Sequence, residues 1–382
     1  MEEITPFAEE HRIFRATLHK FIEREISPHV ERWEEEEYFP DELFHKMGKE
    51  GFLGTMIPTK YEGAGGDYLS GAVLAEEMSR CGAAGVSAGI TMHALIVLPA
   101  LAKLANEEQG KRFIVPGVRG EKIGALALTE PEAGSDLAAI RSQARRENEE
   151  YILNGSKVFI TNGCRADFLL VLCKTNEEQG YSGFTTLIVE KGMKGFEKPR
   201  KLKKVVWYSS DTAEMFFDQV RVPAANRLGQ EGDGFTNAMV NLEWERLLMA
   251  LGSVVGAQRN LDATIDYVRE RKAFGRPLVK FQLTRHKIAD LATRIEAARS
   301  LTYHCLMMLQ QGLSCTREAS MAKYYATEMA KRVADECVQM YGGYGLMMEY
   351  PIQRFWRDAR IGTIGGGTSE IMREIIARTM DL

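Results

Sequence analysis

The sequence predicts an α+β multidomain protein, with an N-terminal α-helical domain over residues 1–122, a middle β domain over 123–228 and a C-terminal four-helix bundle over 229–382. Three observations lead there. Apolar residues recur at helical spacing up to about Gly120. Residues 123–225 turn to β-rich runs punctuated by Asn154-Gly155 and Asn162-Gly163. Beyond Gly229 long helical patterns return, separated by Gly or Pro.

In the first segment, Thr5-Pro6 reads as an N-cap followed by a first-turn proline, with Phe7, Ile13, Phe14, Leu18, Phe21 and Ile22 on a helical face. The middle segment offers β runs at Ile123–Leu128, Tyr151–Ile160, Phe168–Cys173, Phe184–Val189 and Ala213–Val222. The last segment divides into helices at roughly 233–270, 279–311, 315–341 and 350–380, enough for a bundle.

Composition narrows the function. A chain of 382 residues with 45% hydrophobic content buries a large core. A net charge of −4 gives no basic field, which excludes nucleic acid as the expected partner. The six cysteines are scattered without a C-x-x-C, so neither a disulfide framework nor a metal site is expected, and a reducing cytoplasm fits. The longest apolar stretch, near Ile90–Ala102, is interrupted by His93 and Pro99 and reads as too short for membrane insertion. Residues 1–20 are acidic and amphipathic, unlike a signal or transit peptide. A soluble enzyme of small-molecule chemistry is the expectation.

The most informative stretch is Leu126-Ala127-Leu128-Thr129-Glu130-Pro131-Glu132-Ala133-Gly134-Ser135-Asp136. It reads as a strand delivering a loop of hydroxyls and backbone N–H groups, with Gly134 permitting close approach of a ligand. On local chemistry alone, a surface turn fits equally well. A second stretch, Lys157-Val158-Phe159-Ile160-Thr161-Asn162-Gly163, is by itself an ordinary hairpin strand. Neither a G-x-G-x-x-G after a strand nor a P-loop is present, so a dinucleotide would have to bind by another route.

These two stretches and several later ones resemble the acyl-CoA dehydrogenases, in matching order along essentially the whole chain. The resemblance implies a barrel-like middle domain, FAD as cofactor, and a flavin held between the β domain and the bundle. By analogy Leu128, Thr129 and Ser135, with Phe159, Ile160 and Thr161, hold and shield the isoalloxazine. Arg271 and Phe274 of Arg271-Lys272-Ala273-Phe274-Gly275 meet the pyrophosphate. Gln282, together with Gln339, Gly342 and Gly343 of Gln339-Met340-Tyr341-Gly342-Gly343-Tyr344-Gly345, grips the adenine half across a subunit interface, which implies a homotetramer. Gly365-Gly366-Gly367-Thr368-Ser369-Glu370 opens the last helix, with Thr368 as N-cap presenting N–H groups to an anion and Glu370 among the cofactor contacts. Without the resemblance, these are a solvated helix end, a helix stop and an ordinary cap.

Dehydrogenation of an acyl thioester needs a carboxylate for the α-proton, a flavin for the β-hydride and donors for the enolate oxygen. Many family members carry the base as the glutamate of Tyr-Glu-Gly-Thr, where this chain has Gly365-Gly366-Gly367-Thr368. The long-chain and isovaleryl-CoA branch instead places a glutamate before Arg-Leu in the first bundle helix, and Glu245-Arg246-Leu247-Leu248 matches it. Positions 238, 242, 245, 249, 252 and 256 share one face and read Ala, Leu, Glu, Met, Gly, Gly, so Glu245 is the sole charge on an apolar strip that should raise its pKa. Helical glutamates more often reach water or pair with a cation, and periodicity leaves that reading open. The rival Glu243 can pair with Arg246 at i+3.

The reading is therefore an enzyme, an FAD-dependent acyl-CoA dehydrogenase forming a trans-2-enoyl-CoA. Glu245 is the base, flavin N5 the hydride acceptor, and the Gly366 N–H with a flavin ribityl hydroxyl the oxyanion contact. Ser135, Thr236, Arg246, Gly366 and Gly367 contact substrate, and electrons pass to an electron-transfer flavoprotein. Val206 and Tyr208 stand where family members show glycine and a cation, which leaves the thioester carrier open. The alternatives are a carrier-protein-bound acyl or aminoacyl substrate, or a flavin monooxygenase or oxidase on the same fold.

Overall fold

A computed structural model describes residues 6–382. They form two compact units, one of residues 31–74 and 85–242, the other of residues up to 30, 75–84 and 243–382. The compact units thus cut across the three segments read from the sequence. Residues up to 30 and 75–84 join the late helices because Arg15 bonds Glu76 and Glu77 at 2.6 and 2.9 Å, while Tyr303 Oη donates to Glu76 at 2.8 Å.

The first unit is built on an eight-stranded sheet: β1 (Gly124–Ala127), β2 (Gln143–Glu147), β3 (Glu150–Thr161), β4 (Phe168–Lys174), β5 (Phe184–Glu190), β6 (Arg200–Lys201), β7 (Thr212–Pro223) and β8 (Arg227–Leu228). The order is β6-β7-β3-β2-β4-β5-β8, with β1 parallel to β4. A single pair, Gln143↔Lys174, joins β2 to β4. Ala125, Ala144, Tyr151, Leu153, Val171, Leu187, Met215 and Val222 from six of the strands meet in one core, so the sheet curls around it in the barrel-like manner expected. All five expected β runs are strands. The strands the sequence does not reveal are β2, β6 and β8. In Gln-Ala-Arg-Arg-Glu only Ala144 turns inward and no β-branched residue marks the strand, and two-residue strands carry no periodicity.

The β3–β7 ladder slips twice, between Leu153 and Gly155 and between Lys157 and Ile160. At the first slip a Cβ on Gly155 would fall 2.2 Å from Ser142 Oγ, and its φ of +147° is one that side chains rarely adopt, so the position requires glycine. The second slip throws Phe159 into φ +62°, an unusual conformation for a bulky residue.

One correction concerns the apolar stretch near Ile90. Ala84–Leu104 forms one continuous 21-residue apolar run of helix, 67% buried, and His93 and Pro99 do not break it. A π-helical turn spans Met92–Val97, and Pro99 falls in the first turn of the helix that follows, where its missing N–H costs little. His93 is satisfied inside: Nε2 donates to Gly117 O and Nδ1 accepts from Gly124 N, each at 3.0 Å, while burial lowers its pKa to about 4 and keeps it neutral.

In the second unit the bundle helices are Gly234–Glu270, Gln282–Gln310, Thr316–Tyr341, Ile352–Gly362 and Ser369–Arg378. The expected fourth segment is therefore two helices, separated where Gly366 and Gly367 take φ +64° and +98°. At the other end of the chain Thr5 lies outside the described residues, and Pro6 precedes the first helix rather than opening it. That helix runs Glu9–Glu25 from Ala8, whose N–H is accepted by His11 Nδ1 at 3.1 Å. Phe7, Leu18, Phe21 and Ile22 are buried as expected, but Ile13 is 60% exposed. All six cysteines are free.

Candidate active site

In the helical unit the chemistry centres on one carboxylate. The 37-residue Gly234–Glu270 helix buries Trp244, Leu247 and Leu248, which leaves Glu245 partly covered on its Met249 face. Among the described residues Glu245 has neither a hydrogen-bond nor an ion-pair partner, and burial raises its pKa to about 7 against the opposing charge of Arg246. Glu243, the rival, is tied up by Thr316 Oγ1 and by Cys315 Sγ at 3.8 Å, not by Arg246 as its spacing suggested. Arg246 is itself buried, its Nε has no partner, and burial lowers its pKa.

Facing this helix is the glycine turn. A Cβ on Gly366 would lie 3.0 Å from Met249 Sδ, one helical turn from Glu245. The turn therefore packs against the helix face that carries Glu245. The Gly366 N–H has no acceptor among the described residues. Thr368 caps the last helix as expected, accepting Ile371 N–H at 3.3 Å. Glu370 is exposed in the first turn of that helix, its pKa lowered by its own backbone N–H and by Thr368. Two contacts no motif announced fasten the turn: Ser369 Oγ donates to Glu328 at 2.7 Å, and Lys323 Nζ donates to Gly367 O at 2.5 Å. The available signal was a lysine at position 323 amid Ala319, Ala322, Ala326 and Ala330.

Arg271, Gln339, Gly342 and Gly343 come together in one cavity of about 560 Å³, walled by Tyr267 and Tyr341, whose rings stack at 3.9 Å. A Cβ on either glycine would meet nothing within 4 Å, so bare backbone lies open beside a guanidinium and an amide. That donor set suits an anionic, flat, polar ligand such as half of a dinucleotide. Phe274 and Gln282 are not in this cavity. Phe274 is 96% exposed at the tip of a short hairpin, and Gln282 is exposed at the start of its helix.

In the β unit, Thr129 and Phe159 are brought together by the ladder: Val158 N–H donates to Thr129 O at 2.9 Å. Phe159 presents its ring outward, 68% exposed despite its strained backbone. Leu128 and Thr161 are half-buried, and Ser135 and Thr236 are exposed. Ile160 instead turns its side chain into the β core, so only its backbone can serve a ligand. Beneath this surface lies a pair the sequence did not mark. Lys157 Nζ donates to Leu128 O and to Glu130 Oε1, both at 2.8 Å, and Glu130 also accepts N–H from Arg141 and Ser142 at 2.6 and 3.0 Å. Val206 is buried beside Ser209, Ser210 and Asp211, the last bonding Arg165 at 2.8 Å.

An unpaired glutamate poised near neutrality, an open backbone donor one turn away and a polar cleft for a flat anion define an oxidoreductase that removes hydrogen from a carbon–carbon bond. Three family models match the chain in order: acyl-CoA dehydrogenase N-terminal domain on residues 8–121, middle domain on 125–220 and C-terminal domain on 232–380. The chain is 44% identical to the mitochondrial long-chain specific acyl-CoA dehydrogenase of Sus scrofa over 97% of this chain and 86% of that one. The structure of an acyl-CoA dehydrogenase from Geobacillus kaustophilus superposes with a TM-score of 0.95 at 41% identity, covering 99% of both chains. An FAD complex of PigA superposes with a TM-score of 0.95 at 26% identity, covering 98% of both.

The chain belongs to the acyl-CoA dehydrogenase family. It is an oxidoreductase acting on a CH–CH group with FAD as cofactor, and the donor set of the Arg271 cleft suits the polar part of that group.

Proposed function

We propose that this enzyme oxidises a saturated acyl-CoA to the trans-2-enoyl-CoA, with Glu245 as the base. The observation that carries the reading is the absence of any partner for Glu245 together with its pKa of about 7. A poorly solvated carboxylate with no ion-pair partner binds a proton tightly enough to take it from an acidified α-carbon, yet is substantially ionised at neutral pH. The Gly366 N–H, free of any acceptor, donates to the thioester oxygen as negative charge builds there. The dipole of the Ser369–Arg378 helix, capped by Thr368, adds positive potential at the same turn. FAD, when bound, supplies the acceptor for the β-hydride.

The relative's name, long-chain specific, supports a long-chain acyl-CoA as the substrate and fatty-acid β-oxidation as its setting. An electron-transfer flavoprotein is the proposed acceptor, and a cytoplasmic homotetramer the proposed form. Val206 and Tyr208, which replace a glycine and a cation of the family pattern, leave the thioester carrier open, and a carrier-protein-bound thioester is the second reading.

Anaerobic titration of the flavoprotein with saturated acyl-CoAs of rising length tests both. Bleaching that disappears in Glu245→Gln supports the proposal and ranks chain lengths. Bleaching by a loaded carrier protein but by no free CoA ester moves the function to the second reading, and bleaching that persists in Glu245→Gln overturns the base.

A further inference from the structure

A lysine in the core usually finds a carboxylate, because an ammonium loses far more hydration than one neutral contact returns. Lys323 departs from this. Its side chain is fully buried on the Thr316–Tyr341 helix, in no ion pair among the described residues, and its one hydrogen bond runs to Gly367 O at 2.5 Å. Its surroundings only partly answer its charge. Ala319, Ala322, Ala326 and Ala330 line the same buried stretch, the nearby Arg246 carries the same sign, and Glu328 and Glu370 act on it electrostatically without an ion pair among the described residues. An apolar side chain would pack there at lower cost, so the stability of the bundle does not account for this residue.

The glycine turn does. Gly365, Gly366 and Gly367 have no side chains to anchor them, and glycine loses more conformational freedom on ordering than any other residue. The turn's flanks are held by Gly365 N–H to Ile361 O at 2.8 Å, Ser369 N–H to Thr363 O at 3.1 Å and Ser369 Oγ to Glu328 at 2.7 Å. Between these flanks, Lys323 supplies the one hydrogen bond among the described residues that fastens the Gly366–Gly367 stretch. A donor that serves a reaction must be held within about 0.5 Å of its productive place.

Building on the proposal that the Gly366 N–H receives the thioester oxygen, we propose that Lys323 is a positioning residue for the dehydrogenation, clamping Gly367 O so that the Gly366 N–H stays fixed beside the Glu245 face. It acts through the backbone and touches no substrate. Burial and Arg246, outweighing the opposing charges of Glu328 and Glu370, lower the pKa of Lys323 to about 8, and either protonation state keeps an N–H for the carbonyl.

The test compares wild type, Lys323→Met and Lys323→Gln as FAD-loaded enzymes. Amide hydrogen exchange of the 362–370 segment reads the clamp without reference to turnover, and kcat and the acyl-CoA Kd read its consequence. The expected result is faster exchange in that segment alone and a fall in kcat of up to about 10²-fold with Kd little changed, as for a misplaced catalytic group. The Gln variant, which keeps a donor, should lie between. Unchanged exchange, unchanged kcat, or equal loss of bound FAD and activity in both variants would overturn the proposal, the last by making Lys323 a scaffold residue. The Glu245→Gln control separates the two claims. If wild-type bleaching survives it, the assigned base fails, while the exchange data still decide the clamp.

Discussion

Glu130 and Glu245 are both shielded glutamates in helical or strand-bordered walls, yet their surroundings drive them to opposite charge states. Burial works against the ionised form of Glu130, but Lys157 and the N–H groups of Arg141 and Ser142 outweigh it and lower its pKa. Burial works equally against Glu245, nothing answers it except the offset charge of Arg246, and its pKa climbs to about 7. The lesson is that partners, more than depth, decide whether a carboxylate is structure or chemistry. Glu130 and Lys157 tie Leu128 to the β3 strand and hold the surface from which Thr129 and Phe159 are displayed. Glu245 holds nothing and is left free to exchange a proton.

The comparison breaks most visibly in turnover. Glu245→Gln should lower kcat by as much as about 10⁴-fold while FAD stays bound, whereas Glu130→Gln should change stability before it changes rate. In the wild type, kcat/KM should rise with pH through about 7 as Glu245 loses its proton. Next in size, Lys157→Met leaves Glu130 buried without its cation and should cost about 3–5 kcal/mol, read by denaturant unfolding, with Lys157→Met/Glu130→Gln recovering part of the loss.

The pH dependence of stability sharpens the contrast further. Because the folded pKa of Glu245 is raised from 4.5 to about 7, its contribution is fully present below the unfolded value and is lost as pH rises through 7, by about 3 kcal/mol at roughly 1.4 kcal/mol per pKa unit. For Glu130 the folded pKa is lowered, so its contribution is present above the unfolded carboxylate range and lost as pH falls through the folded value. Glu245→Gln should flatten the first slope and leave the second. The smallest effect is expected from Glu243→Gln. With its carboxylate already engaged by Thr316 and Cys315, kcat should stay within about twofold, and a larger fall would move the base by two residues.

Much of this was written in local pattern. The β runs and the first three bundle helices follow from period and punctuation, and Glu245 is legible as the one charge on an apolar helix face. What escaped depends on partners far away in sequence. Lys157 reads as an ordinary strand lysine until Glu130, 27 residues earlier, closes on it. Lys323 reads as a solvated helical lysine until Gly367, 44 residues later, supplies its acceptor. The break at Gly365–Gly367 was visible as a glycine run, but the positive φ angles that turn it from a flexible joint into two separate helices belong to the fold. Pro99 misled in the other direction, since a π turn places it where a proline is tolerated. Phe274 and Gln282 carried family resemblance without local force, and both lie on the surface of the single chain, outside the Arg271 cleft.

The space beside Gly366 sets a steric cost on the second family position for the base. A glutamate at 366 would need a left-handed backbone that side chains rarely adopt, and its first carbon would lie 3.0 Å from Met249 Sδ. A carboxylate moved from 245 to 366 would ask Met249 to give way and a side chain to accept a left-handed backbone, so the glycine at 366 and the methionine at 249 form one steric pair, each limiting what the other position can hold.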